Sequence, residues 1–232
     1  TASPDTIHRA AFLAVIDLHA GSPTAGRVVG VVNTGPGARG THHTEHQLQP
    51  DRLLFANDFG AGHSFVFDLN DPAHPVIHAR FTTAGPYGWP HSFVRLPNGN
   101  RLVTYQWQAT KFNSPPGGIA EVRTDGSIVR WASARTSDAP DGEITPYSLE
   151  ILPALDRVVT TSTSMVADSG VHLQVWRLSD LTLLRTLVMP GGRPTGMSAM
   201  PGMAGMADDT MPHHLFPGEP RVLADGKTVM LG

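Results

Sequence analysis

A chain of 232 residues with 40% hydrophobic and 16% charged side chains can bury a sizeable core as one domain. A net charge of −3 with a pI near 6.4 gives no basic footprint for nucleic acid, and no apolar run approaches the roughly 20 residues of a membrane span. The absence of cysteine excludes a disulfide framework, a thiolate metal site and a cysteine nucleophile, and leaves the compartment, periplasmic or cytoplasmic, open.

In chain order, residues 11–18 and 27–32 read as the last two strands of a sheet whose first two are absent. A strand-turn-strand unit then recurs. The first copy runs His43-Thr-Glu-His-Gln-Leu48, turns through Pro50-Asp51, and continues Arg52 to Ala56. The second runs His91-Ser-Phe-Val-Arg-Leu96, turns through Pro97 to Asn100, and continues Arg101 to Thr104. The third runs Tyr147-Ser-Leu-Glu-Ile-Leu152, turns through Pro153 to Asp156, and continues Arg157 to Thr161. A fourth begins at Gly218 and stops at Gly232.

Superposing the leucines makes His43, His91, Tyr147 and Gly218 equivalent, at separations of 48, 56 and 71 residues. After each full copy come two more alternating runs, Ser64–Leu69 with Val76–Phe81, Ile119–Val122 with Ile128–Trp131, and His172–Leu178 with Leu183–Val188. Asp-Gly, Asn-Gly and Asp-Pro turns separate them, a hairpin signature, and no helix longer than two turns is expected. Repeats of this length built of short strands predict an all-β fold, a β-propeller with four-stranded blades. The half-blades at the two ends either complete one another in a closed four-bladed ring or mark a piece of a larger propeller. The start without Met and the stop inside a strand favour the piece, so residues 1–232 are read as one propeller domain or the N-terminal part of one.

Thr41-His-His-Thr-Glu-His46 is the strongest chemical candidate. Alternation puts His43 and Glu45 on one face and His42, Thr44 and His46 on the other, and one face should look into the channel. Innermost strands of a propeller converge, so His91, one blade on, can meet His43. Imidazole suits copper, zinc, iron or nickel, and without thiols histidine is the main available ligand, with Glu45 a further oxygen ligand or a proton acceptor. Against this stands a purely structural role for the histidines as hydrogen-bond partners of backbone at the channel mouth.

Residues 191–217 form a Met/Gly/Pro-rich insertion, with Met197, Met200, Met203, Met206 and Met211 ahead of His213-His214. Thioethers select Cu(I), so the insertion reads as a copper-collecting loop or, more plainly, as a low-complexity linker in which Met is tolerated. His214 would return to the channel mouth as a further ligand. Tyr147 stands in the histidine position of the third blade and is either a hydrogen-bond donor to a bound species or a packed ring. Glu219 and Arg221 read as an ion pair. Trp107, Trp131 and Trp176 are expected between blades, and His63, His74, His78 and His172 at the surface.

The blocks His42-His-Thr-Glu45, Leu54–Asn57, Phe65–Pro72, Pro90-His-Ser-Phe-Val-Arg-Leu-Pro-Asn-Gly99, Pro146-Tyr-Ser148, Gln174–Leu181 and Glu219-Pro-Arg221 resemble the bacterial branch of the selenium-binding protein family, which includes the methanethiol oxidases. The resemblance runs from Phe12 onward except for the Met-rich insertion. It implies a larger propeller, for example seven-bladed, with a copper ion held by channel histidines and used to oxidise a small thiol such as methanethiol with dioxygen. His42, His43 and His91 match the family's blade-start histidines, and His214 matches a His-rich stretch before Glu-Pro-Arg. The cysteine that the family associates with selenium binding has no counterpart here. Beside the copper-dependent oxidase stand a non-catalytic metal-binding or scaffold propeller and a lactonase-like hydrolase, which propellers also host.

Overall fold

The structure is a computed structural model that describes residues 11–45, 48–139, 144–164, 169–189 and 217–231. It is a β-propeller of consecutive antiparallel sheets. β1 (Phe12–Ile16) pairs with β2 (Val28–Asn33) as an outer hairpin. The first full blade has β3 (Leu53–Asp58), β4 (His63–Asp68) and β5 (Val76–Phe81), with residues 42–45 as its innermost edge. The second blade has β6 (Thr83–Ala84), β7 (Tyr87–Arg95), β8 (Arg101–Gln108), β9 (Gly118–Val122) and β10 (Ile128–Ser133). The third has β11 (Pro146–Leu152), β12 (Arg157–Ser164), β13 (Ser169–Arg177) and β14 (Leu183–Val188), followed by the hairpin of β15 (Pro220–Val222) and β16 (Val229–Leu231).

Burial follows position in the blade. Middle strands are covered on both faces by neighbouring blades, so β8 is buried at every residue but its last, whereas β10 and β5 alternate buried-side and exposed-side residues. The core lies between blades. Phe55, Val66 and Phe81 of the first blade pack on Tyr87, Phe93, Val103 and Tyr105 of the second. Leu96, Leu102 and Ile119 of the second pack on Leu149, Val158 and Trp176 of the third. The predicted Asn-Gly and Asp-Gly turns form with Gly99 at φ 88° and Gly126 at φ 84°, left-handed values that favour glycine.

Two expectations need correction. The second blade is five-stranded, because β6 doubles back on β7 through a turn at Gly85 and Pro86. Trp131 is 48% exposed rather than between blades, since its indole lies over Gly85 and edge-on to Tyr87 on the outer strand. Of the strand expected over 43–48, the described residues 42–45 bond to β3, with Thr44 opposite Ala56 as an isolated bridge. Trp107 and Trp176 are fully buried as expected.

Candidate metal centre

The inner edge of the first blade is tied to β3 by backbone bonds, His42 N–H to the Asn57 carbonyl (2.9 Å) and Asn57 N–H to the His43 carbonyl (2.9 Å). Asn57, fully buried, adds its own side chain. Its Oδ1 accepts from His43 N–H at 2.5 Å, and its Nδ2 donates to the Pro90 carbonyl at 3.1 Å, one residue before His91. One amide thus holds both histidine-bearing segments.

At the start of β7 the ladder slips between Pro90 and Phe93, and at the start of β11 it slips between Pro146 and Leu149. Both bulges fall on the equivalent positions His91 and Tyr147. A bulge twists the strand and re-aims a side chain, a device found next to active sites. Thr104 anchors the first of them. Its hydroxyl accepts from Ser92 N–H (3.0 Å) and donates to the Tyr147 carbonyl (2.8 Å).

These supports bring His42, His43 and His91 together, with one ring nitrogen of each within 4.8 Å of the others. Ring centroids are 4.3 Å apart for His43 and His91, 4.4 Å for His42 and His43, and 5.6 Å for His42 and His91. His91 is fully buried. Its Nδ1 donates to the Tyr147 carbonyl at 2.9 Å, with Ser92 Oγ 3.1 Å away. That bond fixes the tautomer, so Nε2 carries the lone pair, and Nε2 is buried without a hydrogen-bond partner among the described residues. Metal-bound histidines take this form, with the distal N–H given to a carbonyl and the other nitrogen left for the ion.

Burial, then the neighbouring His43 and His42, push the His91 pKa well below the ordinary value, against a smaller opposing effect of the Tyr147 carbonyl. His42, the most exposed of the three, is lowered by partial desolvation. Neutral imidazoles are the form that binds metal. The Tyr147 ring lies over His91 at 4.1 Å, and its hydroxyl pKa is raised by burial and by Glu219.

Glu45 is not brought to this cluster. Both its oxygens are occupied, Oε1 by Arg101 Nε (2.8 Å) and Oε2 by Phe55 N–H (3.1 Å) and Arg101 Nη2 (3.3 Å). Burial raises its pKa despite Arg101. The alternation that put His43 beside Glu45 and opposite His42 breaks down because 42–43 is not regular strand. The expected Glu219–Arg221 ion pair is present at 3.2 Å. His46, His214 and the methionines from Met197 to Met211 lie outside the described residues.

Sequence reasoning missed Asn57, Thr104 and the main-chain role of Tyr147. A polar side chain inside an otherwise apolar strand, as at Thr104 in Arg101-Leu-Val-Thr-Tyr105, was the available signal.

No family model matches the chain. It is 27% identical over 199 residues to a methanethiol oxidase of Hyphomicrobium sp, covering 77% of this chain and 44% of the relative. It is 29% identical over 140 residues to a methanethiol oxidase of Ruegeria pomeroyi, covering 57% and 30%. The chain is homologous to methanethiol oxidases. It spans less than half the length of these relatives. Among solved structures, a hypothetical selenium-binding protein from Sulfolobus tokodaii superposes with a TM-score of 0.60 at 14% identity, covering 78% of this chain and 46% of that one. A protein from Bacteroides fragilis assigned as a 6-phosphogluconolactonase gives 0.55 at 14% identity, covering 95% and 57%. At such identities these two likenesses speak for the fold alone. The sequence matches bear out the resemblance to the selenium-binding protein family.

Proposed function

We propose that the chain belongs to a copper-dependent oxidase of small thiols such as methanethiol, with the metal held by His42, His43 and His91. The observation that carries this reading is the His91 Nε2 atom, fully buried, carrying its lone pair, and without a hydrogen-bond partner among the described residues beside two further imidazoles. An unpaired buried acceptor costs about 1–3 kcal/mol, a cost that a ligated metal would remove. The sulfur chemistry comes from the methanethiol oxidases that the chain resembles over part of their length. His214, outside the described residues, is a further ligand in this reading on the resemblance alone.

Copper bound here would supply redox capacity toward dioxygen and a soft seat for sulfur. The residues themselves divide the remaining work. The Tyr147 carbonyl orients His91, and Asn57 fixes the distance between the two histidine segments. The Tyr147 hydroxyl, with its pKa raised, stays protonated near neutral pH and can donate a hydrogen bond to a substrate atom in the channel. Glu45, committed to Arg101, does not serve as the proton acceptor in this scheme. The propeller likeness to a 6-phosphogluconolactonase does not favour hydrolysis, since fold alone does not carry activity and the clustered ligands are imidazoles.

The test is metal analysis by plasma mass spectrometry after loading with copper, zinc, iron or calcium and desalting. We expect about one copper per chain, lost in a His43→Ala/His91→Ala double variant and kept when the Met-bearing stretch 191–211 of the insertion is deleted with His213 and His214 retained. Peroxide release that requires both copper and methanethiol completes the assignment. Copper lost only with the insertion would leave a metal-collecting scaffold and overturn the channel site.

A further inference from the structure

Beside the histidines the surface opens into a groove far larger than methanethiol needs. A cavity of about 310 Å³ is bordered by His42, Arg39 and Gly60. A second, of about 490 Å³, shares Arg39 and Gly60 with the first and continues over His63, Trp89 and Phe112. Spaces of roughly 300–1,000 Å³ hold drug-sized ligands, whereas methanethiol has two heavy atoms.

The far wall is aromatic and constrained. Trp89 sits at φ 56°, a left-handed conformation that a bulky side chain rarely adopts, two residues ahead of His91 on the same strand. Its ring meets Trp107 at 5.5 Å and Phe112 edge-on at 5.8 Å, while Phe112 is 53% exposed and held on Trp107 at 4.5 Å. Trp107 is in turn linked to the site, because Phe59 packs on both Trp107 (5.1 Å) and His91 (5.5 Å). At the junction of the two cavities stands Arg39. Its main-chain N–H is bonded to Asp58, but its guanidinium makes no hydrogen bond or ion pair among the described residues. A free guanidinium fork is suited to a carboxylate or sulfonate.

We propose that this groove selects a thiol with an aryl or extended alkyl body and an anionic group. The body stacks on Trp89 and Phe112, the anion pairs with Arg39, and the sulfur reaches toward His42. The assignment of sulfur rests on the oxidase reading above, whereas the apolar-plus-anionic recognition stands on the groove alone.

The test uses the metal-free chain, so its failure is separable from failure of the oxidase reading. Titration with 4-mercaptobenzoate is expected to quench tryptophan fluorescence saturably. Arg39→Gln, at an exposed side chain that folding does not need, should weaken 4-mercaptobenzoate about tenfold and leave thiophenol unchanged. Trp89→Leu should weaken both probes. No saturable binding of 4-mercaptobenzoate, or equal weakening of the two probes by Arg39→Gln, overturns the proposal. If 4-mercaptobenzoate binds as expected but the copper-loaded chain releases no peroxide from it, the groove stands and the oxidase reading falls.

Discussion

The two interfaces that flank the second blade use the same repeat positions in different ways. Both have an apolar core and an ion pair, but at the second the arginine, Arg130, 2.7 Å from Glu121 and bonded to the Leu178 carbonyl, is part-exposed, whereas at the first the cluster is centred on a buried arginine. Arg101, fully buried, binds Glu45 through Nε at 2.8 Å, Asp51 through Nη1 at 3.1 Å and the Leu53 carbonyl through Nη2 at 3.1 Å, with its guanidinium 4.7 Å from the Phe55 ring. At the second interface the ladder position of Arg101 is held by Val158, and Arg157, the residue before it, bonds the carbonyls of Leu155 and Asp156 beside it. The position equivalent to Glu45 in the second blade is Phe93, so the second interface has neither the carboxylate nor the arginine of this pair. The interface with the ionic cluster is also the one that carries the histidines. Positions there are held by directional bonds as well as by packing, which is what a site with tight geometric demands requires.

The largest effect should come from breaking that cluster. Glu45→Ala leaves Arg101 buried with its main partner gone, and removing one partner of a buried pair costs about 3–5 kcal/mol. Urea unfolding at unchanged m-value reads this directly. A loss of activity with no shift in midpoint would instead return Glu45 to a chemical role.

Next come the hydroxyl clips, which the two interfaces share. Thr161 repeats Thr104, accepting from Ser148 N–H (3.2 Å) and donating to the Gly218 carbonyl (2.8 Å). Thr104→Val and Thr161→Val should each cost about 1–3 kcal/mol, since each leaves buried groups unpaired. Only Thr104→Val should also reduce metal content, because the Tyr147 carbonyl that it releases is the one that orients His91. Equal metal content in the two variants would separate the clip from the site.

These contrasts mark what could be read in the chain. Matching His43 to His91 by the leucine register placed two rings that lie 4.3 Å apart, because blade starts converge on an axis whatever the loop lengths between them. Tyr147 followed by the same register. The role of Glu45 was not legible. Its partner, Arg101, opens a strand of the next blade 56 residues later, and local alternation carries no information about contacts across blades. The bulges at His91 and Tyr147 were hidden for a related reason. They add a residue to one strand relative to its neighbour, a property of the pairing and not of either sequence.

A pH titration of chelator-treated protein sharpens the same comparison. The folded pKa of His91 lies well below its ordinary value of 6.5, so below that pH the unfolded chain takes up a proton that the folded chain refuses. Stability is therefore fully present above pH 6.5 and declines as pH falls toward the depressed value, by up to about 1.4 kcal/mol per pH unit for one full proton. His42 acts in the same direction. Tyr147, at the equivalent position, has its pKa raised from 10 and contributes no slope in this range. His91→Gln should flatten the acid limb, and an unchanged limb would mean that other groups set it.

The smallest effect is expected at Arg157, and it decides whether the comparison is one of position or of partner. Arg157→Gln removes a charge that meets only neighbouring carbonyls, so the change should stay within about 0.5 kcal/mol, the range of ordinary surface substitutions. Arg101→Gln, the same change one ladder position further into its hairpin, strands Glu45 in a buried site and should cost several-fold more. If the two substitutions cost the same, the arginine acts through its place in the hairpin. A wide gap shows that the one-residue difference in hairpin register, which brings Arg101 to the carboxylate 56 residues earlier, turns an arginine after the turn into the clamp beside the metal centre.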